Sequence, residues 1–138
     1  MTAPASETGP TIRRATAADL PAIGRLGALL IAEHHDFDSR RFLAVRPSTP
    51  VDYASFLGTQ LDDPDVAVLV ADEGGNVTGY AYCALEGYDY MSLRGPAGVL
   101  HDVIVAPEHR RRGVGRLLLD AVLAYLRSRG APRVVLST

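Results

Sequence analysis

A segment in the last third of the chain, residues 107–115, has the residue types needed to bind an anion through its backbone. It contains three consecutive arginines and two glycines, follows a β-branched run at 103–105, and precedes an amphipathic helix pattern that begins at Val114. A helix that starts after such a turn directs free N–H groups outward, and glycines let a ligand approach the backbone closely. No Ser, Thr, Asp or Asn lies between residues 106 and 116 to cap the helix. A phosphate group could therefore take the capping role.

The glycine spacing differs from that of the two commonest nucleotide-binding loops. A Walker loop places Lys and then Ser or Thr after its last glycine, whereas Gly115 is followed by Arg116 and Leu117. A Rossmann loop needs three spaced glycines, and this segment has two. The segment instead resembles motif A of the GCN5-related N-acetyltransferases (GNAT): Gln or Arg, two residues, Gly, one residue, then Gly or Ala. Arg110, Gly113 and Gly115 occupy its three fixed positions.

The resemblance extends upstream through residues 100–110, which look like the strand and Pro-Glu turn before this motif in the family. The stretch is most similar to the diamine-acetyltransferase branch, in which two acidic residues open the strand. His101 and Asp102 stand at those two positions, so the first acid is replaced. The resemblance implies an α/β domain with a mixed sheet and the GNAT-like acyl-CoA N-acyltransferase fold. It also implies direct transfer of an acetyl group from acetyl-CoA to a primary amine of a small molecule or peptide.

The same resemblance assigns the acetyl-CoA site. The backbone of the strand would pair with the pantetheine arm, a bulge would splay the central strands apart, and the amides of the loop would hold the pyrophosphate. An amide near Val105 would polarise the thioester carbonyl. Whether the arginine side chains contact phosphate or only solvent remains open at this stage. The residues expected to bind acetyl-CoA are Val103, Ile104, Val105, Arg110, Arg111, Arg112, Gly113, Val114, Gly115 and Arg116.

Three residues are candidates for the base that deprotonates the amine. An alkylammonium has a pKa near that of lysine, about 10.4, and a histidine at about 6.5 could take its proton through water. His101 is the leading candidate, followed by Asp102 and Glu86, with bulk water as a further possibility. Asp102 could instead anchor a neighbouring backbone amide. The tyrosine that serves as the acid in the family lies beyond the fifth strand, and no residue of this sequence is assigned that role.

Composition limits the classes of function. The net charge of −2 gives the chain no basic field for nucleic acid, and no run of about 18 apolar residues is present. Cys83 lies in an apolar run and is expected to be a buried thiol. The trio at residues 34–36, two histidines and an aspartate, is interpreted as a polar helix end, so no metal site is expected. These features predict a cytoplasmic protein that binds neither membrane nor nucleic acid.

Hydrophobic periodicity predicts the order βααβββαβ. The predicted elements are a strand at 12–14, helices at 16–33 and 48–61, strands at 66–71 and 77–85, a loop at 86–98, a strand at 99–105, a helix from 114 and a strand at 133–138. Residues 1–10 are expected to be a disordered tail and residues 11–138 a single domain.

This order matches the family through its fifth strand, without the last helix and two strands. Such an order would leave the fifth strand uncovered, so either the chain is a shortened form or a partner protomer covers that edge in a homodimer. The substituted acidic position and the short C-terminal part also leave an alternative function open. The domain could be a catalytically weak or inactive acetyl-CoA-binding module with a regulatory or interaction role.

Overall fold

The computed structural model describes residues 9–137, which form a five-stranded mixed sheet with helices on both faces. The predicted order βααβββαβ is confirmed over these residues, and residues 1–8 of the expected disordered tail lie outside them. A short 3-10 turn precedes the first helix, and another follows the fourth strand. The elements are β1 (Thr11–Arg14), α1 (Leu20–Phe37), α2 (Thr49–Gly58), β2 (Val66–Glu73), β3 (Asn76–Glu86), β4 (Ala97–Val105), α3 (Val114–Ser128) and β5 (Val134–Leu136).

The strands lie in the order β1-β2-β3-β4-β5, antiparallel except for the parallel pair β4 and β5. Alternate residues of β2 pack on opposite faces, with Leu69 in the cluster that α3 covers and Val68 in the cluster that α1 and α2 cover. Because both faces are buried, β2 is apolar at every position from Val66 to Ala71 rather than alternating. Cys83 is buried in the α3 cluster, and burial raises the pKa of its thiol to about 11, as expected for a structural cysteine.

The first helix extends about one turn beyond the end predicted at Glu33. His34 and His35 lie inside its last turn, where Nδ1 of His34 donates to the carbonyl of Leu30 at 2.8 Å. Imidazole groups near a helix C-terminus can donate to the carbonyls of the last turns, as His34 does, so the pair is compatible with a longer helix. Among residues 9–137, no helix combines the length and apolar character needed to cross a lipid bilayer.

Two glycines allow α1 and α2 to approach each other closely. A Cβ on Gly24 would collide with the carbonyl oxygen of Pro50, and a Cβ on Gly27 would collide with the ring of Tyr53. The missing side chains therefore make room for the backbone of α2 and for one of its aromatic rings. This packing directs Tyr53 toward the sheet, where its hydroxyl group reaches β4.

Replacing Gly24 by alanine tests this close approach. The Pro50 carbonyl is backbone and cannot move aside as a side chain can, so we expect the Gly24→Ala variant to lose about 1–3 kcal/mol of unfolding free energy. Gly58 ends α2 and is the matched control, because its Cβ would meet only the tip of Leu20 at 3.3 Å. The Gly58→Ala variant should be neutral or slightly stabilised. Equal stability of the two variants in urea unfolding would contradict this account of the packing.

Candidate active site

A one-residue bulge in β4 places two consecutive polar side chains on the same face of the sheet. Tyr82 of β3 pairs with Asp102, but the next residue, Cys83, pairs with Leu100, so His101 has no opposite partner. An extra residue in one strand reverses the alternation of side chains beyond it. Leu100 accordingly packs in the α3 cluster, whereas His101 stacks on Tyr82 on the other face.

Beyond the bulge, β4 has a free edge. The parallel pairing with β5 covers only Gly98, Val99 and Leu100. Within residues 9–137, the stretch 101–105 of β4 has a strand partner only on the β3 side. An unpaired strand edge presents a row of N–H and C=O groups. Three of the residues predicted to bind acetyl-CoA, Val103, Ile104 and Val105, lie on this edge.

The free edge leads to an open backbone turn at the start of α3. Arg111 and Gly113 both adopt left-handed conformations, with φ of 64° and 84°. Gly113 is the N-cap residue of α3, and among residues 9–137 no side chain bonds to this helix end as a cap. A Cβ on Gly113 would have nothing within 4 Å, so the space next to the turn is open. Together with Leu30 and Gly115, these residues line a cleft of about 480 Å³.

Arg110 joins this turn to the rest of the site. Its Nε donates to the carbonyl of Val105 at 2.8 Å, and its Nη2 pairs with Glu33 of α1 at 2.9 Å. The side chain therefore fixes the turn relative to β4 and α1. Arg111 and Arg116 also line the cleft, and neither forms an ion pair with another residue of the range 9–137. Their charges remain available for an anionic ligand.

Arg112, the remaining arginine of the predicted loop, faces a different neighbour. Its Nη1 lies 3.4 Å from Nδ1 of His109. His109 in turn lies 3.3 Å from a carboxylate oxygen of Glu73 at the end of β2. Arg112 thus lies in the turn, and Val114 is the first residue of α3. The side chain of Arg112, however, is directed toward the end of β2.

A second cavity, of about 660 Å³, adjoins the first, and Leu30 and Val103 line both. Its floor is the face of β4 that carries His101 and Asp102. Its walls come from α1, α2, the segment between these helices, β3 and the end of β5. The free edge of β4 thus connects the backbone turn of the first cleft to the two polar residues of the second.

Asp102 accepts hydrogen bonds at the base of the second cavity. Tyr53 donates to its Oδ2, and Oη of Tyr80 lies 3.0 Å from the same oxygen and 2.8 Å from the hydroxyl of Tyr53. Burial raises the pKa of the Asp102 carboxyl to about 6, while the nearby His34 acts in the opposite direction. Burial also raises the pKa of Tyr80, so this phenol stays protonated and able to donate.

His101 is held by a chain of charged groups. Its Nε2 lies 2.6 Å from Oε2 of Glu86, and Oε1 of Glu86 accepts from Arg94 at 3.1 Å. The imidazole ring stacks on Tyr82 with centroids 5.0 Å apart. Because the carboxylate accepts the proton on Nε2, only Nδ1 of a neutral His101 can accept another proton.

The structure thus brings together the three residues predicted as base candidates, with Glu86 behind His101 and Asp102 beside it. Sequence reasoning missed the hydroxyl groups of Tyr53 and Tyr80 and the ion pair of Arg94. Tyr53, Phe56 and Leu57 recur at helical spacing, which favours one apolar face of the second helix, but no sequence signal indicates the partner of the Tyr53 hydroxyl. Among residues 9–137, no group of three or more His, Cys, Asp or Glu side chains is arranged to hold a metal ion.

Comparison with known proteins gives curated relatives that match over short segments. A mycothiol acetyltransferase of Thermobispora bispora is 39% identical over 72 residues, which are 49% of this chain and 23% of that protein. Related mycothiol acetyltransferases of two Clavibacter species match over 10% and 18% of their lengths. The chain therefore matches less than a quarter of the length of these relatives.

Solved structures match over nearly the whole chain. A transcriptional regulator of Bacillus halodurans C-125 superposes with a TM-score of 0.70 and 22% identity, covering 94% of this chain and 81% of the other. An acetyltransferase of Vibrio fischeri superposes with a TM-score of 0.70 and 22% identity, covering 92% and 94%. These similarities show a shared fold.

The model of the acetyltransferase (GNAT) family matches residues 31–138, which include the second helix, the bulged strand, the backbone turn and α3. The match extends well beyond the short glycine motif and covers most of the chain. The chain belongs to the GNAT family of acetyltransferases.

Proposed function

We propose that this domain transfers the acetyl group of acetyl-CoA to a primary amine of a small molecule or peptide. The observation that carries the proposal is the continuity of the site. One free strand edge runs from an uncapped helix start, suited to phosphate, to a cavity that contains a carboxylate and a histidine. Membership of the GNAT family supports acetyl transfer in general.

The residues of the first cleft fit the chemical groups of acetyl-CoA. Backbone amides between Arg110 and Gly115 supply N–H donors for a pyrophosphate, and the open space beside Gly113 leaves them accessible. Arg111 and Arg116 can add charge-assisted contacts to phosphate oxygens. The free edge at 103–105 can pair with the amides of the pantetheine arm as an added strand would. Arg110 acts indirectly, because its guanidinium already binds Val105 and Glu33.

In the proposed reaction, acetyl-CoA supplies the thioester, and the chain positions and deprotonates the amine. The Asp102 carboxylate attracts the ammonium group, and Nδ1 of His101 takes one proton from it, with Glu86 stabilising the resulting imidazolium. The neutral nitrogen then bonds to the carbonyl carbon as the carbon–sulfur bond breaks. The nitrogen loses its second proton, and the departing thiolate gains one. A main-chain N–H of the free edge near Val105 would polarise the carbonyl oxygen.

One observation favours a second candidate function, an acetyl-CoA-binding module with weak or no turnover. A neighbour with the same fold is described as a transcriptional regulator. The first acidic position of the diamine-acetyltransferase pattern is also a histidine here. Under this alternative, the chain would bind CoA tightly and would acetylate amines only weakly or not at all.

The proposal also includes the setting in which the domain works. We place it in the cytoplasm, without nucleic acid or membrane as partner and without a metal. We further propose a homodimer that covers β5, because Val134 and Leu136 of this edge strand are 42% and 68% exposed. Apolar side chains on an edge strand favour association with a second chain.

Replacing Gly113 by leucine tests the phosphate turn. The new side chain would fill the open space beside the amides, so we expect CoA affinity to fall at least 100-fold in isothermal titration calorimetry. Gly130 provides a matched control at the opposite end of α3, since its φ of 77° is also left-handed and its Cβ would also have nothing within 4 Å. Gly130→Leu should share the backbone strain and keep CoA affinity. Equal loss of affinity in both variants would contradict the assignment.

Replacing Asp102 by asparagine tests whether the partly buried carboxylate is kept for function at the expense of stability. Its pKa in the folded protein, about 6, exceeds the ordinary value of 3.8. The folded state therefore binds more protons between these values, and wild-type stability falls as the pH rises from about 4 to about 6. We expect Asp102→Asn to match wild type at pH 4 and to be about 1–2 kcal/mol more stable at pH 8, after allowance for solvent at the cavity mouth. Acetylation at pH 8 should fall at least tenfold.

The control for this experiment is Asp120→Asn, on the exposed face of α3, which should change neither stability nor activity. Thermal and urea unfolding at both pH values give the stability readout. If Asp102→Asn were less stable than wild type at pH 8, the ionised carboxylate would be a structural group. The proposed role in amine binding would then be wrong.

A further inference from the structure

We propose that the amine acceptor has an apolar and preferably aromatic body, which the second cavity holds while its ammonium group faces Asp102. This inference rests on the proposed acetyl transfer and narrows it from any primary amine to one class. It follows from what lines the cavity, from which charges are available there, and from how exposed the apolar wall is.

The wall of the cavity is built from aromatic and aliphatic side chains. Phe56 of α2 meets Tyr82 of β3 edge to face, with ring centroids 6.0 Å apart. Tyr82 in turn stacks on His101 at 5.0 Å, so three rings follow one another along one side. Phe42, packed edge-on against His34 at 4.9 Å, adds a further ring to the lining of the cavity. Aromatic rings in a cavity wall favour a flat apolar ligand that can pack against them.

The charges in the cavity fit a ligand with one cation. Among the lining residues that belong to the range 9–137, Asp102 is the only carboxylate, and none is a lysine or an arginine. Glu86, the next acid, is already bound by Arg94 and His101. A polyamine would therefore bring a second ammonium group that finds no acidic partner in the cavity. A single ammonium group near Asp102 satisfies the charge that the lining offers.

The cavity wall also exposes much apolar surface. Phe56 and Leu43 are 50% and 65% exposed, and both line the cavity. An apolar ligand would remove this surface from water, which stabilises the complex in proportion to the apolar area buried. A sugar or a hydroxylated amine would lose hydrogen bonds to water in this cavity. Apart from Asp102, the lining offers only Ser137, the imidazoles and the phenols to replace them.

The inference is tested by comparing four amines: 2-phenylethylamine, n-butylamine, ethanolamine and putrescine. We expect kcat/KM for 2-phenylethylamine to exceed the values for ethanolamine and putrescine at least tenfold, with n-butylamine between them. Phe56→Ser should lower kcat/KM for 2-phenylethylamine at least tenfold, mainly through KM, and should reduce the preference over ethanolamine. Val51→Ser, on the same helix but in a groove away from the cavity, should leave the preference unchanged.

The outcomes separate this inference from the proposed function. Acetylation of ethanolamine or putrescine with equal or better kcat/KM would overturn the inference and leave the acetyltransferase proposal standing. If CoA binds but no amine is acetylated, the proposed catalysis fails, and calorimetry of 2-phenylethylamine with the CoA-loaded protein decides the inference. Binding that Phe56→Ser weakens would support it. If 2-phenylethylamine does not bind, the inference is overturned. The same holds if a second copy of the chain, or another segment of it, closes the cavity and prevents binding.

Discussion

The bulge at His101 determines the geometry of the whole site. Without the extra residue, strict alternation would direct His101 and Asp102 to opposite faces of the sheet. With it, both side chains face the same cavity, and Leu100 keeps its place in the core under α3. The strand pairing with β5 stops at the same point, so the edge of β4 becomes free where the polar residues begin. A change in register of one residue thus places His101 and Asp102 together, next to the strand edge that is proposed to hold the cofactor.

The surroundings keep this arrangement in place at a cost to stability. Asp102 is held partly out of water by α1 and α2, whose close packing depends on Gly24 and Gly27, and its raised pKa reports that cost. The hydroxyls of Tyr53 and Tyr80 offset part of it by donating to the carboxylate. On the other side of the edge, Arg110 fixes the uncapped helix start against α1. Both halves of the site therefore depend on the position of α1.

Much of the fold could be predicted from the sequence, because its signals are local. The apolar stripe of α3, the glycine turn between β2 and β3 and the motif around Gly113 depend on neighbours within a few residues. The contacts that build the site join distant positions: Tyr53 lies 49 residues from Asp102, and Glu33 lies 77 residues from Arg110. No periodicity encodes such pairs. The sequence therefore identified Arg110 as part of the loop but could not show that its guanidinium joins α1, and it gave no indication of the two tyrosine hydroxyls.

The central claim is that the free edge of β4 and the backbone turn before α3 form one binding surface for acetyl-CoA. Amide hydrogen exchange of the wild-type protein, with and without CoA, measures this surface directly. The account predicts slower exchange on CoA binding at the amides of residues 103–105 that face away from β3 and at the amides of residues 111–115. Exchange in the groove between Pro21 and Val51, on the far side of α1 and α2, should not change. CoA binding that leaves both the strand edge and the turn unprotected would contradict the account.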